Sequence, residues 1–484
     1  MSQIVVKIND SGFEYDIHSL VKAFYPSEDV KVLAGDTEEK STEGMPDISI
    51  DFEKDSIRLL FVREGDGKEY RVNTEGLLKV QYRSELKKLI YIAISKAEGR
   101  TLPWGTLTGI RPTKIPMSLL AEGAATEEIE DYMRNTYLLN EEKLSLSIDI
   151  AKRERELLSK INYDNGYSIY IGIPFCPTTC MYCSFTSYPI CSYKNKTEAY
   201  LEALFKEIDY TAEAFKDKEL NTLYIGGGTP TTLEADELDR LLTKIYESFD
   251  MTNLKELTVE AGRADSITED KLRVLKKHNV GRISVNPQTM NQKTLDLIGR
   301  RHTVEQVIDT FALARKVGFE NINMDIILGL PNENVSEVTY TIDEIKKLAP
   351  DSLTVHSLAL KRASKMSEWI EKNGLSTLNN TDETMDIARR GAADMGMNPY
   401  YLYRQKNMSG NFENVGYSAP GKEGIYNILI MEEVRTIVAC GAGTVTKRVY
   451  GDGRIERCDN VKDVALYISK IEEMIDRKRQ LFKD

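Results

Sequence analysis

The stretch that decides the fold is "YSIYIGIPFCPTTCMYCSF", residues 167–185, where an apolar, strand-like run leads into a loop with Cys176, Cys180 and Cys183. These three cysteines have the spacing C-x3-C-x2-C and come from only six in 484 residues. So few cysteines in such a long chain do not form a disulfide framework, and a cluster of thiols indicates a ligand site in a reducing compartment. We call residues 176–183 the cysteine loop and expect it to hold a metal ion or a cluster.

Between residues 167 and 360, short β-rich runs alternate with amphipathic segments of helical length. The six runs are "YSIYIGI", "TLYIGG", "ELTVEA", "RISVNP", "INMDIILG" and "SLTVHSLAL". This alternation predicts an α/β fold with a parallel sheet and right-handed crossovers. Six units are too few for a complete eight-stranded barrel, so we predict an open, partial (β/α)6 barrel. Loops after the carboxyl ends of parallel strands form the active face of such folds, and the cysteine loop follows the first strand.

The rest of the chain predicts two flanking regions. Residues 1–160 indicate an N-terminal α+β domain that is β-rich to about residue 80 and helical from about 83. The barrel is assigned to 161–375, and a mixed C-terminal region that covers it to 376–484. The loop "LTGIRPTKIP", residues 107–116, carries Arg111 and Lys114. This loop is either a solvated connector or a basic finger that reaches an anionic ligand.

Composition limits the class of protein. The net charge of −12 argues against a general nucleic-acid binder, because the phosphate backbone favours basic surfaces. The first residues lack a signal-peptide pattern, and no uninterrupted apolar run reaches the length of a membrane span. We therefore expect a cytoplasmic protein, monomeric and without a membrane span.

Three thiolates suit a [4Fe–4S] cluster with one iron left open. A structural zinc ion usually has four protein ligands, and the fourth would have to be Cys191 or a distant histidine; this alternative stays open. A cluster commonly has four thiolates, so with three one iron can chelate a substrate and deliver an electron into it. Glycines 226–228 after the second strand let backbone amides approach a ligand. Glu260 ends the third strand and suits the hydroxyls of a ribose.

These motifs resemble a known family. The cysteine spacing, with Tyr182 before the third cysteine and a six-fold β/α series behind it, resembles the radical S-adenosylmethionine (SAM) superfamily. The strings "YIGIPFCPTTCMYCSF", "YIGGGTPTTL", "RISVNPQTMNQKTLDLIGRRHT" and "NINMDIILGLP" are similar to the oxygen-independent coproporphyrinogen III oxidase family. "LTGIRPTK" and "YYLYRQKNMSGNFENVGYS" resemble its coproporphyrinogen dehydrogenase branch, HemZ. The resemblance implies that SAM chelates the open iron and is cleaved to methionine and a 5′-deoxyadenosyl radical.

The resemblance also implies which residues bind SAM. The positions that match those for the cluster-ligated SAM are Tyr170, Tyr182, Gly227 and Glu260. The positions that match those for a second SAM are Gly228, Thr229, Gln288, Arg300, Asp325 and Ala359. The "GAGTV" loop, residues 441–445, would close over adenosine through Val445.

The implied reaction is the oxidative decarboxylation of two propionates of coproporphyrinogen III, which gives protoporphyrinogen IX in anaerobic haem synthesis. A substrate with four propionates needs fixed cations, since paired guanidinium and carboxylate groups orient as well as attract. The candidates are Arg111, Lys114, Lys361, Arg362 and Arg404. The implied electron donor is a reducing protein such as a flavodoxin or ferredoxin.

Two departures from the family keep other functions open. The oxidases have a further cysteine two places after the triplet, and here that position is Phe185. The related haem chaperones have an aromatic residue there, but they bind haem through a segment with a histidine, and "YRQKNMSGNFENVGYS" has none. The alternatives are a haem-binding chaperone and another radical-SAM enzyme that modifies tetrapyrroles.

Overall fold

The computed structural model describes residues 3–26, 28–35, 46–63, 67–109, 111–161, 165–359, 364–374, 377–405 and 412–483. The chain divides into two compact units. The first is Met1–Lys152 with Arg404–Asn407, and the second is Arg153–Tyr403 with Met408–Asp484. The predicted barrel and the predicted C-terminal region thus belong to the same unit.

The first unit is built on a five-stranded sheet with the order β2-β1-β3-β4-β5. Its strands are β1 (Gln3–Ile8), β2 (Asp29–Ala34), β3 (Ile48–Phe52), β4 (Ser56–Phe61) and β5 (Lys68–Asn73). Its helices are α1 (Glu14–Phe24), α2 (Lys79–Glu98), α3 (Lys114–Ala121), α4 (Thr126–Tyr137) and α5 (Glu141–Leu158), the last of which continues into the second unit. Residues 1–80 are therefore not purely β-rich, because α1 lies within them. This helix buries Ile17, Leu20, Val21 and Phe24, whose spacing of three and four is helical.

The second unit contains the predicted barrel. Its strands are β6 (Gly166–Ile173), β7 (Phe175–Cys176), β8 (Tyr188–Pro189), β9 (Glu219–Gly227), β10 (Glu256–Gly262), β11 (Arg282–Val285), β12 (Ile322–Leu328) and β13 (Ser352–Ser357). The helices between them are α6 (Thr197–Ala214), α7 (Ala235–Ser248), α8 (Glu269–Lys277), α9 (Gln292–Leu297), α10 (Val304–Val317) and α11 (Val335–Leu348).

Six of these strands form one continuous parallel series in the order β13-β12-β11-β10-β9-β6. Each of the six predicted runs overlaps one of them, which confirms the predicted α/β barrel. The strands are buried along most of their length because both faces of the sheet are covered; all four residues of β11 are buried. Helix α7 buries Leu238, Leu241, Leu242 and Ile245 and leaves its charged face outside.

The C-terminal region extends the same sheet at both edges. After α12 (Met366–Asn373), which still belongs to the barrel range, its elements are α13 (Asp382–Asp394), β14 (Asn398–Tyr403), β15 (Asn414–Ser418), α14 (Ile425–Glu432), β16 (Ile437–Cys440), β17 (Val445–Val449), β18 (Ile455–Asp459), α15 (Val464–Ser469) and α16 (Ile471–Leu481). Strand β15 pairs antiparallel with β13, whereas β16 pairs parallel with β6, Val438 opposite Ile169. We expected this region to cover the barrel; in the structure its strands complete an 11-stranded sheet. The first barrel strand, β6, therefore has a parallel neighbour on each side.

Candidate active site

The cysteine loop starts from a fixed base. Cys176 lies in the two-residue strand β7, which pairs in parallel with β8 on the far side of the loop. The Tyr188 amide also donates to Pro174 O at 2.8 Å. The two ends of the loop are thus held together at the carboxyl edge of the sheet, directly after β6, as predicted for an active-site loop.

Polar groups lie around the cysteine sulfurs. The Thr229 hydroxyl donates to Cys176 Sγ at 3.4 Å, and the Phe185 amide and Ser187 hydroxyl lie near the sulfur of Cys183 and act to lower its pKa. Burial raises the pKa of Cys176 to about 11, with the Thr229 bond acting in the opposite direction. The pKa of Cys183 is also raised by burial, and repulsion from Cys180 adds to this effect. Thiols with polar groups directed at their sulfurs are the ligand type that an iron–sulfur cluster takes, although the three sulfurs are not gathered into a metal-binding group in this structure.

The glycine run is required by close packing around the cysteine loop. Gly227 has a φ of 105°, a region that favours glycine. A Cβ atom on Gly228 would lie 2.5 Å from Phe175 O. The Gly228 amide donates to Ile173 O and the Thr229 amide to Phe175 O, both at 2.7 Å. We expected these amides to bind the polar end of a ligand; in the structure they tie the second strand to the start of the cysteine loop.

Glu260 lies beside a stack of tyrosine rings. The Tyr224 hydroxyl donates to Glu260 Oε1 at 2.6 Å, and the nearby Gly227 amide acts to lower the pKa of this carboxylate. Burial raises the pKa of Glu260 to about 7, and the Tyr224 bond opposes the rise. The ring of Tyr224 stacks with that of Tyr426 at 4.6 Å, and the ring of Tyr170 lies 6.1 Å from each. The carboxylate can therefore exchange a proton near neutral pH and accept hydrogen bonds from hydroxyl groups.

Gln288 and Arg300 are buried, and each has a polar side-chain atom without a hydrogen-bond partner in the described part of the chain. Gln288 is 7% exposed and its Oε1 has no hydrogen bond, while its backbone, at a φ of 69°, is held by Asp325 O and the Ile327 amide. Arg300 donates to Asn286 O and lies beside Tyr182 and Cys180, but its Nε has no partner. Leaving such atoms unpaired costs about 1–3 kcal/mol each, so these two positions fit a polar ligand.

Asp325 and His356 form a polar pair inside the barrel. Asp325 Oδ1 accepts from Asn323 Nδ2 at 2.7 Å, and His356 Nε2 lies 3.8 Å from Asp325 Oδ2. Burial raises the pKa of Asp325, but the bonds from His356 and Asn323 outweigh it and leave the pKa lowered. Asp325 is thus an anion at neutral pH. Ala359 lies shortly after the carboxyl end of β13, the strand that follows β12.

The loop that contains Val445 is held by a buried network. The Gly441 amide donates to Glu207 Oε2 at 2.7 Å, and a Cβ atom on Gly441 would lie 2.3 Å from Gly172 O. Lys478 and Tyr467 also bind the Glu207 carboxylate. The loop therefore packs directly on β6, and Val445 at its end is 38% exposed.

The predicted substrate cations that the structure describes belong to the first unit, whereas the cysteine loop belongs to the second. Arg404 is 5% exposed and donates to Leu107 O at 2.6 Å, so it is a packed cation of the first unit. Arg111 and Lys114 belong to the same unit, and Lys114 is exposed at the start of α3. Lys361 and Arg362 lie outside the described residues.

Sequence reasoning missed three residues around the site. Tyr224 stands opposite Tyr170 in the register of β9 and β6, so strand alternation could have found it. Tyr426 comes from a distant part of the chain and no local pattern marks it, whereas Arg263 directly follows β10 and its position after a strand end could have marked it. Among the described residues, no group of three or more His, Cys, Asp or Glu side chains is arranged to hold a metal ion.

Comparison with known proteins shows which family the chain is similar to. Residues 170–345 match the radical SAM superfamily. The chain is 44% identical to the "Oxygen-independent coproporphyrinogen-III oxidase-like protein HemZ" of Bacillus subtilis (strain 168), over 80% of this chain and 79% of that protein. It is 35% identical to the "Heme chaperone HemW" of Lactococcus lactis, over 54% of this chain and 64% of that protein. The structure of coproporphyrinogen III oxidase (HemN) from Escherichia coli superposes with a TM-score of 0.51 at 22% identity, over 66% of this chain and 73% of HemN.

The fold and the cysteine loop define a radical SAM protein, and the chain belongs to the family of oxygen-independent coproporphyrinogen-III oxidase-like proteins. Superfamily members use a [4Fe–4S] cluster and SAM, which favours a cluster over zinc as the cofactor of this protein. The donors around the thiols fit the cluster, and the unpaired atoms of Gln288 and Arg300 fit SAM. In the described part of the chain, no helix is long and apolar enough to cross a membrane.

Proposed function

We propose that the protein is a coproporphyrinogen dehydrogenase of the radical SAM type. It would convert two propionates of coproporphyrinogen III to vinyl groups and give protoporphyrinogen IX. For each propionate, one hydrogen atom leaves the side chain, the bond to the carboxylate breaks, carbon dioxide leaves and one electron passes to an acceptor. The bound cluster and SAM would supply the 5′-deoxyadenosyl radical that takes the hydrogen atom.

The observation that carries the proposal is a pair of buried polar atoms without hydrogen-bond partners, on Gln288 and Arg300, of which Arg300 lies beside Cys180. Both residues stand at positions that the family resemblance assigns to SAM, and a bound polar ligand would satisfy Gln288 Oε1 and Arg300 Nε. Glu260 would accept hydrogen bonds from ribose hydroxyls, with Tyr224 holding its carboxylate in place. Cys176, Cys180 and Cys183 would hold the cluster, and the tyrosine stack would form an apolar wall beside it.

The proposal is supported by the likeness to the oxidase-like relative over most of both chains. Radical chemistry on a propionate needs water kept out of the site, because a reactive intermediate must be protected from side reactions. The stacked rings of Tyr170, Tyr224 and Tyr426 suit that task, since each is buried or half-buried.

The test is an anaerobic incubation of cluster-loaded protein with SAM, dithionite and coproporphyrinogen III. We expect vinyl product with methionine and 5′-deoxyadenosine, separated and identified by mass spectrometry. Cys180→Ala should abolish both SAM cleavage and vinyl formation. Cys191→Ala changes an exposed cysteine outside the triplet and is the matched control. SAM cleavage by the Cys180 variant would contradict the ligand assignment.

The same experiment separates the other candidates. Phe185 is 75% exposed at the position where an oxidase would have a cysteine, and this observation favours a haem chaperone. Stoichiometric haem binding without SAM cleavage would support the chaperone. SAM cleavage without vinyl product would support another tetrapyrrole-modifying enzyme.

A further inference from the structure

Behind the cysteine loop lies a buried guanidinium, that of Arg263, which is 2% exposed. Its Nε and Nη2 donate to the two carboxylate oxygens of Asp265 at 3.0 and 2.6 Å. Its Nη1 donates to Thr178 Oγ1 at 2.7 Å and Thr178 O at 3.1 Å, and lies 3.9 Å from Cys180 Sγ. The guanidinium of Arg263 therefore bridges Asp265 and the cysteine loop.

Arg263 stands where the third barrel strand ends. It follows Gly262, whose φ of 62° turns the chain at the end of β10. The loop that it grips is also tied to the turn before Arg300. Thr178 Oγ1 donates to Gly299 O and the Met181 amide to Ile298 O, both at 2.9 Å. The cysteine loop is thus held from two sides, and Arg263 is the member that carries a positive charge to the sulfur of Cys180.

The charges around Arg263 determine what it does to a bound cluster. Asp265 offsets the guanidinium charge, and the buried ring of His302 lies 3.9 Å from the Asp265 carboxylate. Arg300 is a second cation beside Cys180. Hydrogen bonds and positive charge near cluster sulfurs make reduction easier, because the reduced cluster carries one more negative charge. A purely structural brace would need the bonds to Thr178 but not the approach to sulfur.

We propose that Arg263 is a positioning residue that holds Cys180 in the cysteine loop and raises the reduction potential of the cluster bound there. Asp265 then sets the size of the effect, since it partly neutralises the guanidinium. This inference concerns the cofactor and holds whichever tetrapyrrole reaction the protein performs.

The experiment uses the full chain, reconstituted anaerobically with iron and sulfide, in four forms. They are the wild type, Arg263→Gln, Asp265→Asn and the control Arg315→Gln. The control removes the guanidinium of Arg315, which lies on α10 and pairs with Asp351 at 2.7 Å. Iron content and visible absorbance establish cluster loading. The midpoint potential is then measured by an EPR-monitored redox titration without SAM.

Arg263→Gln should make reduction of the cluster about tenfold less favourable, which is a shift of 59 mV for a one-electron couple. Asp265→Asn leaves the guanidinium unneutralised and should shift the potential in the opposite direction. Arg315→Gln should leave it unchanged. If Arg263→Gln does not load a cluster, the proposal is tested by the upward shift of the midpoint potential expected in Asp265→Asn. Unchanged potentials in both variants, or shifts of the same sign, would overturn the proposal and leave Arg263 a structural brace.

Discussion

The buried pair of Glu207 and Lys478 allows a quantitative prediction about the loop at 441–445. Both side chains are 0% exposed, and their ion pair connects α6 to α16. Removing one member of such a pair costs about 3–5 kcal/mol, because the other charge is left buried without its partner. The two single variants should differ within this range, since the remaining partners differ.

After Lys478→Met, the Glu207 carboxylate still accepts from the Gly441 amide at 2.7 Å, Asn460 Nδ2 at 2.7 Å and the Tyr467 hydroxyl at 2.5 Å. We therefore expect a loss of about 3 kcal/mol, at the lower end of the range. After Glu207→Gln, the Lys478 ammonium still donates to Asn460 Oδ1 at 3.0 Å. The NH2 group of the introduced glutamine is itself a donor, and it faces groups that donated to the Glu207 carboxylate. The expected loss is about 5 kcal/mol.

The assay is guanidinium unfolding of the full chain, followed by circular dichroism. The double variant Glu207→Gln/Lys478→Met removes both charges and should be more stable than Glu207→Gln alone. The control is Arg240→Gln, which breaks an exposed pair with Glu198 and should cost no more than about 1 kcal/mol. The reasoning is refuted if Lys478→Met costs more than Glu207→Gln, or if neither single variant costs more than the control.

Two further predictions concern the glycine run and Glu260. Gly228→Ala places a methyl group 2.5 Å from Phe175 O, so it should lower the free energy of unfolding by roughly 1–3 kcal/mol and reduce the iron bound per chain. The control is Gly281→Ala, which has open space around it and should change neither quantity. Normal iron content in Gly228→Ala would contradict the close packing. The cofactor-free chain should lose stability as the pH rises from about 4.5 to about 7, because burial raises the pKa of Glu260 to about 7 and the unfolded chain releases this proton at lower pH. Glu260→Gln should remove roughly 3 kcal/mol of this dependence in urea titrations across that range, and an unchanged pH profile would show that Glu260 is not protonated in the fold.

Local patterns in the sequence predicted most of the barrel. Each strand of the series is an apolar run bounded by turn residues, and the spacing of the cysteines marks their loop without any need for a partner elsewhere. The same reasoning overlooked α1, although its buried residues have helical spacing, because strand-like runs surround it. The position of β16 was beyond such reasoning, since its pairing with β6 joins segments far apart in the chain.

The site shows the same division between local and distant information. The roles of the glycines could be predicted in kind, but not that the amides of Gly228 and Thr229 are used within the fold. Arg404 has the charge of a substrate ligand in the sequence, and only the structure reveals its bond to Leu107 O. Arg263 becomes meaningful once Thr178 and Cys180 are known to lie against it.

The parallel pairing of β16 with β6 has a consequence for the order in which the protein matures. Domains begin to fold while the chain is being synthesised, starting from the N-terminal side. Strand β6, which leads into the cysteine loop, lacks one of its two neighbours until residues 437–440 have left the ribosome. The loop that would receive the cluster therefore gains its full support only late in synthesis.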